Sequence, residues 1–165
     1  MMHNGLILGK FLPFHKGHEA LINFGLSICE HLTVAVVSKR DEVIPMEIRL
    51  GWLKDHFAAC TITITPFYHD LPHDGKFTEA DRLLWCEAIK TRFPKIDVLI
   101  SSESYGHNLA EYMGIEHREF DAKRTAIPVS ATAIRNNPMA YREYLPKEVQ
   151  LYYGVYKQEN ESCQK

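Results

Sequence analysis

The chain has 165 residues, 45% of them hydrophobic and 24% charged, enough for one domain with its own core and short for two. Those proportions exclude disorder over most of the length, and no apolar run approaches the ~20 residues of a membrane-spanning helix. Lys plus Arg number 19 and Asp plus Glu 21, a net charge of −2 without the basic surplus of a general nucleic-acid binder.

In chain order, Gly5–Gly9 reads as a short, wholly apolar strand. His18–Glu30 follows with helical spacing, placing Leu21, Phe24 and Ile28 on one face. Leu32–Val37 is a second apolar strand, and Pro45 suits the first turn of a helix carrying Ile48, Trp52, Leu53 and Phe57. Cys60–Thr65 alternates apolar residues with threonine, as a third strand. Thr78–Phe93 is predicted helical with Ala80, Leu84, Ala88 and Ile89 inward, and Asp97–Ile100 is the fourth strand. Asn108–Met113 is a short helix ended by Gly114, Ile115–Phe120 a fifth strand, and Ser130–Asn136 and Ala140–Tyr153 two closing helices.

This alternation implies an α/β fold with a parallel sheet covered on both faces. Strands one, two and four are apolar throughout, as central strands must be, whereas strands three and five alternate, as edges can. Right-handed crossovers then favour the order 3-2-1-4-5. The chain reverses direction between strands one and four, so a ligand crevice should open at their carboxyl ends. Lys10–His18 and Ser101–Tyr105 fall there.

Cys29, Cys60, Cys86 and Cys163 stand far apart with no C-x-x-C pair, the pattern of reduced thiols in a cytoplasmic protein. The opening Met1-Met2-His3-Asn4 has no cationic region or cleavage site, so no signal peptide is expected.

Two segments carry chemistry. Gly9-Lys10-Phe11-Leu12-Pro13-Phe14-His15-Lys16-Gly17-His18 places H-x-G-H where a strand hands over to a helix. Gly17 admits a ligand close to the backbone, and the free amides of the first helical turn attract an anion. Two imidazoles there can donate to phosphate oxygens without fixed charge. Such a spacing also arises incidentally; its position at the crevice argues for function. In the second segment, Val129–Arg135, Ser130 is an N-cap, and Thr132 and Arg135 share a helical face. Together they form either a second phosphate clamp or a capped surface helix with a solvated arginine.

H-x-G-H after a first strand, with a late S-x-T-x-I-R, resembles the nucleotidylyltransferase superfamily. Within it, G-K-F-x-P-x-H-x-G-H looks like the adenylyltransferase domain of NadR-type proteins. Ser101-Ser102-Glu103, Asp121-Ala122-Lys123-Arg124-Thr125 and Ile134-Arg135-Asn136-Asn137-Pro138 are similar to that family as well. The resemblance implies a Rossmann-like, doubly wound five-stranded sheet of nucleotidylyltransferase type, with residues 1–156 as a single domain and 157–165 as a polar tail. It implies transfer of AMP from ATP to nicotinamide mononucleotide (NMN), yielding NAD and pyrophosphate. The catalytic set it implies is His15, His18, Lys10 and Arg135. ATP would meet Gly9, Phe11, His15, Gly17, His18, Ser130, Thr132 and Arg135, and NMN would meet Lys10, Trp85 and Arg124. Magnesium would arrive on ATP, with no protein ligand.

Several residues keep a second reading. Trp85 is either core or the face that flanks nicotinamide; Arg124 either binds the NMN phosphate or pairs with Asp121. His69-Asp70-Leu71-Pro72-His73-Asp74-Gly75 reads as a loop near the NMN pocket rather than a metal cluster, and Lys39–Glu42 as a solvated turn from which Arg40 can reach a phosphate. No helix-turn-helix, phosphate-loop kinase, nucleic-acid partner or membrane partner is expected; a homo-oligomer is possible. The rivals are a pantetheine-phosphate adenylyltransferase, against which Gly9-Lys10-Phe11 and His15 speak, a cytidylyltransferase, and a non-catalytic sensor of NAD or ATP.

Overall fold

The computed structural model describes residues 2–71, 78–103 and 105–158. His73 and Asp74 of the histidine-rich loop and Cys163 lie outside them. Five parallel strands form one sheet in the order β3-β2-β1-β4-β5: β1 Met2–Gly9, β2 Cys29–Ser38, β3 Thr63–Tyr68, β4 Val98–Ser101 and β5 Glu116–Glu119. The predicted order and edge positions therefore hold. Between the strands run α1 Lys16–Ile28, α2 Met46–His56, α3 Glu79–Arg92 and α4 Tyr105–Met113. After β5 come α5 Ala131–Asn136, a 3₁₀ turn at Arg142–Tyr144 and α6 Lys147–Tyr152.

Alternate strand residues feed two cores. Ile7, Val34, Val36, Val98 and Ile100 meet α1, α2, α5 and α6 through Leu21, Ile22, Leu53, Ile134 and Val149. Leu6, Ala35, Val37 and Leu99 face the other way, onto Trp85, Cys86 and Ile89 of α3 and Leu109 and Ala110 of α4. Apolar side chains on both faces are the reason β1, β2 and β4 carry unbroken apolar runs.

Three expectations need correction. The third strand is Thr63–Tyr68, three residues later than Cys60–Thr65, with Thr33 opposite Thr63 and Val37 opposite Phe67. That register buries Phe67, and it places Pro66 in an edge strand, where its missing N–H is tolerated. On α3, Ala80 and Leu84 face solvent, Leu84 being 51% exposed. The inward stripe is Trp85, Cys86 and Ile89, because turning Trp85 inward buries a larger ring than Leu84 offers. Finally, Ala140–Tyr153 is not one helix. Pro146 interrupts it, leaving the 3₁₀ turn before and α6 after.

Candidate active site

The crevice opens where β1 separates β2 from β4. From the end of β1 the chain runs through Phe11, in the left-handed region at φ 51°, and enters α1 at His15. The Phe11 ring is buried, lies where a side chain on Gly9 would fall, and packs against the His18 ring at 4.8 Å between centroids. Its side chain thus supports His18 from the core.

His15 is an unusual N-cap: its Nδ1 accepts the Gly17 amide at 3.1 Å. A Cβ on Gly17 would come within 2.9 Å of that imidazole, so the close approach requires glycine. With Nδ1 accepting, the neutral ring carries its proton on Nε2. The His15 and His18 rings stack at 3.7 Å. Burial, reinforced by the positive Arg124, lowers the His15 pKa to about 4. Burial, then His15 and Arg124, hold His18 well below its ordinary value. Both rings are therefore neutral at pH 7, and the buried His18 Nδ1 has no hydrogen-bond partner among the described residues.

The pair lines a hollow of about 330 Å³ whose other walls come from Ser102 and Glu103 after β4, Asp121 and Arg124 after β5, and Ser130 and Thr132 at the start of α5. Ser130 caps α5, its hydroxyl accepting the Ala133 amide at 3.1 Å. Arg135 donates to Thr132 Oγ1 at 3.3 Å and to the carbonyl of Leu12. The two segments singled out in the sequence are thus tied to each other.

Arg124 lines this hollow, not the one bounded by Trp85, and its partner is the Glu103 carboxylate at 3.2 Å. Asp121 instead accepts the amides of Thr125, Ala126 and Ile127, folding the turn that presents Arg124. Asp121 and Arg124 both have positive φ, 45° and 51°. With Phe11 they are the non-glycine residues in that region among those described, and all three stand on loops of the crevice.

A second hollow of about 290 Å³ lies on the other side of the β1 carboxyl end. Leu8, Gly9, Lys10, Val37, Trp85, Tyr105 and Leu109 line it, and no lining residue is shared with the first. Trp85 is 7% exposed and packs against His69 at 4.5 Å and Phe67 at 6.2 Å. It belongs to the core and also lines a cavity. Lys10 faces the same hollow, its Nζ 3.4 Å from Glu42. Arg40 lines a separate recess with Tyr68 and Asp70.

Among the described residues no three His, Cys, Asp or Glu side chains are grouped to hold a metal, and no helix is long and apolar enough to cross a membrane. Sequence reading placed Ser101–Tyr105 at the crevice without giving Glu103 or Tyr105 a role, and it missed the buried Arg49. For Arg49 a signal existed, since it falls on the same helical stripe as Trp52 and Leu53.

No family profile matches the chain. The trifunctional NAD biosynthesis/regulator protein NadR of Escherichia coli is 28% identical over 171 residues, covering 90% of this chain and 40% of that protein. The chain thus spans well under half the length of this relative. A nicotinamide-nucleotide adenylyltransferase of Methanocorpusculum labreanum is 27% identical over 156 residues, covering 90% of this chain and 88% of that protein. Among solved structures, NadR in complex with NR superposes with a TM-score of 0.70 at 20% identity, over 90% of this chain and 44% of that one. A bifunctional NMN adenylyltransferase/ADP ribose pyrophosphatase from Francisella tularensis, complexed with AMP and a manganese ion, gives 0.64 at 16% identity, over 98% and 46%. In sequence the chain resembles NadR and nicotinamide-nucleotide adenylyltransferases, and its 3-2-1-4-5 parallel sheet with flanking helices is the fold of the NMN adenylyltransferase structures.

Proposed function

We propose that this chain is a nicotinamide-nucleotide adenylyltransferase, joining the AMP moiety of ATP to NMN to give NAD and pyrophosphate. The observation that carries the reading is the neutral, stacked His15–His18 pair at the head of α1, one wall of a polar hollow beside an apolar one closed by Trp85. The comparisons support it, since the relatives found act in NAD biosynthesis by name.

In this reading the triphosphate occupies the histidine hollow. An oxygen of the NMN 5′-phosphate attacks the α-phosphorus of ATP, the new P–O bond forms, and the bond to the bridging oxygen breaks, releasing pyrophosphate. The attacking phosphate is already ionised at pH 7, so no general base is needed. The protein positions two anions and stabilises charge on the leaving group. His15, through Nε2–H, and His18 donate to ATP phosphates, His18 nearest the α-phosphate. Ser130, Thr132 and Arg135 hold the β- and γ-phosphates, and Gly17 lets them approach α1. Arg124 lies on this side and adds a cation there, its exposed pair with Glu103 being easily exchanged for a phosphate.

Lys10, at the wall of the Trp85 hollow, neutralises the acceptor phosphate. Trp85 offers its face to the pyridinium, whose delocalised charge an aromatic wall favours. A divalent ion, magnesium in this proposal, would arrive on ATP without a protein ligand and would supply charge neutralisation on the triphosphate. The charged residues lining the hollow are Glu103, Asp121 and Arg124; Glu103 is paired with Arg124 and Asp121 with loop amides, and no metal-holding cluster forms among the described residues, which suits an ion carried in on the triphosphate.

Incubation with ATP and Mg²⁺ plus each candidate acceptor, with the product identified by mass, tests the proposal. NAD from NMN is expected. Transfer to phosphopantetheine, a cytidylyl product, or binding of ATP without any turnover would each replace it with a rival reading.

A further inference from the structure

Arg49 is fully buried on the inner face of α2. Its Nε donates to the carbonyl of Ile44 at 2.9 Å, Nη1 to those of Lys10 at 2.7 Å and Val37 at 3.0 Å, and Nη2 to Ser38 Oγ at 2.6 Å. No carboxylate touches it among the described residues; the charge of Glu42 acts from a distance and only partly opposes the effect of burial. A buried cation without an ion pair is an expensive way to fill a core, and an apolar side chain of similar volume would serve stability at least as well. The guanidinium does something an apolar chain cannot. It ties the first residue after β1 to the carboxyl end of β2 and to the segment leading into α2.

The residue it ties is Lys10. That lysine is held at both ends by the same stretch of chain, its carbonyl by Arg49 and its ammonium by Glu42 at 3.4 Å. Beyond Lys10 come Phe11 at positive φ and then the histidine pair, so the carbonyl direction at Lys10 sets how the loop leaves the sheet.

We propose that Arg49 is a positioning residue for the transfer reaction, fixing the backbone at Lys10 so that the Lys10 ammonium stands at the wall of the Trp85 hollow. It touches neither substrate and acts through Lys10. The inference rests on the adenylyltransferase reading and deepens it.

A double-mutant cycle tests it. Arg49→Met, Arg49→Lys and Ser38→Ala are each made in the wild-type and Lys10→Met backgrounds, and kcat and KM are measured for NMN and ATP separately. Arg49→Met is expected to lower kcat/KM for NMN about tenfold or more while moving the KM for ATP less than about threefold. Arg49→Lys, which keeps the charge but lacks the fork, recovers part of the loss. In the Lys10→Met background the same substitutions change kcat/KM less than about twofold, because the group they position is gone.

Equal losses in both backgrounds, or a loss confined to ATP, would overturn the proposal and leave Arg49 a structural residue. If Arg49→Met does not fold, Ser38→Ala carries the cycle. It removes one acceptor from the guanidinium without emptying the core, and the same non-additivity is required of it. A wild-type chain that forms no dinucleotide overturns the adenylyltransferase reading and this inference with it. An active wild type with additive losses overturns this inference alone.

Discussion

Acid should expose the cost of keeping His15 neutral. Its folded pKa is about 4, against an ordinary value of 6.5 in the unfolded chain. Between those values the unfolded state takes up a proton that the folded state refuses. Stability therefore falls as pH drops through this window and is unaffected by this group well above it. At about 1.4 kcal/mol per pH unit, His15 alone removes about 2 kcal/mol by about pH 5 and about 3 kcal/mol across the whole gap. His18, also depressed, acts with the same sign.

The control is His15→Asn. Asparagine is a strong N-cap that can accept the Gly17 amide and does not titrate. Urea midpoints of the ligand-free proteins between about pH 7 and pH 5 give the comparison. The wild type should lose about 2 kcal/mol more than the variant over that range. Parallel curves would refute the argument that burial and Arg124 hold this imidazole neutral.

His18→Ala should fold and lose roughly 10²–10³ in turnover, the usual loss when one donor to developing charge is removed; steady-state kinetics with near-normal kcat would remove His18 from the site. Arg135→Ala should chiefly raise the KM for ATP, because its guanidinium would meet phosphates in ground and transition states alike; an unchanged KM would make α5 a surface element. Ser130→Ala should cost about 1 kcal/mol of stability through the lost cap, read as a shift in the urea midpoint. NMN should be preferred over nicotinate mononucleotide by about tenfold or more in kcat/KM, about 1.4 kcal/mol, since Lys10, already paired with Glu42, is the one cation among the described residues lining the Trp85 hollow. Competition between the two acceptors in one reaction decides this; equal use refutes it.

The sheet was legible because burial on both faces leaves an unmistakable trace. The fourth strand is buried throughout and its Val98-Leu99-Ile100 reads as an apolar run, so strand order and the crevice followed from that trace together with the right-handed crossover rule. The edge strand β3 was misplaced because alternation is ambiguous in register. Thr61-Ile62-Thr63-Ile64-Thr65 repeats with period two, and only the packing of Phe67 under Trp85 decides where pairing starts. Leu84 and Trp85 are adjacent, and helical periodicity cannot choose between neighbouring stripes without the partner surface. His15, His18, Ser130, Thr132 and Arg135 were legible as candidates because each sits at one of two helix starts, where the local sequence sets the geometry. The ion-pair partner of Arg124 is Glu103 rather than Asp121, and Arg49 was overlooked, because tertiary contacts alone determine what each guanidinium faces.

The two edge strands bear on how copies of this chain can meet. β5 is four residues long, Glu116-His117-Arg118-Glu119, and three of the four carry formal charge. β3 carries Pro66, which can donate no backbone hydrogen bond. A second sheet aligning with either border would meet a charged row too short to template a strand, or a ladder missing a donor. Continuous sheets running from one molecule into the next are thereby disfavoured, as is the fibrillar aggregation that open parallel sheets invite. The helical faces offer the more open route for self-association, since apolar side chains such as Leu83, Leu84 and Leu151 reach solvent there.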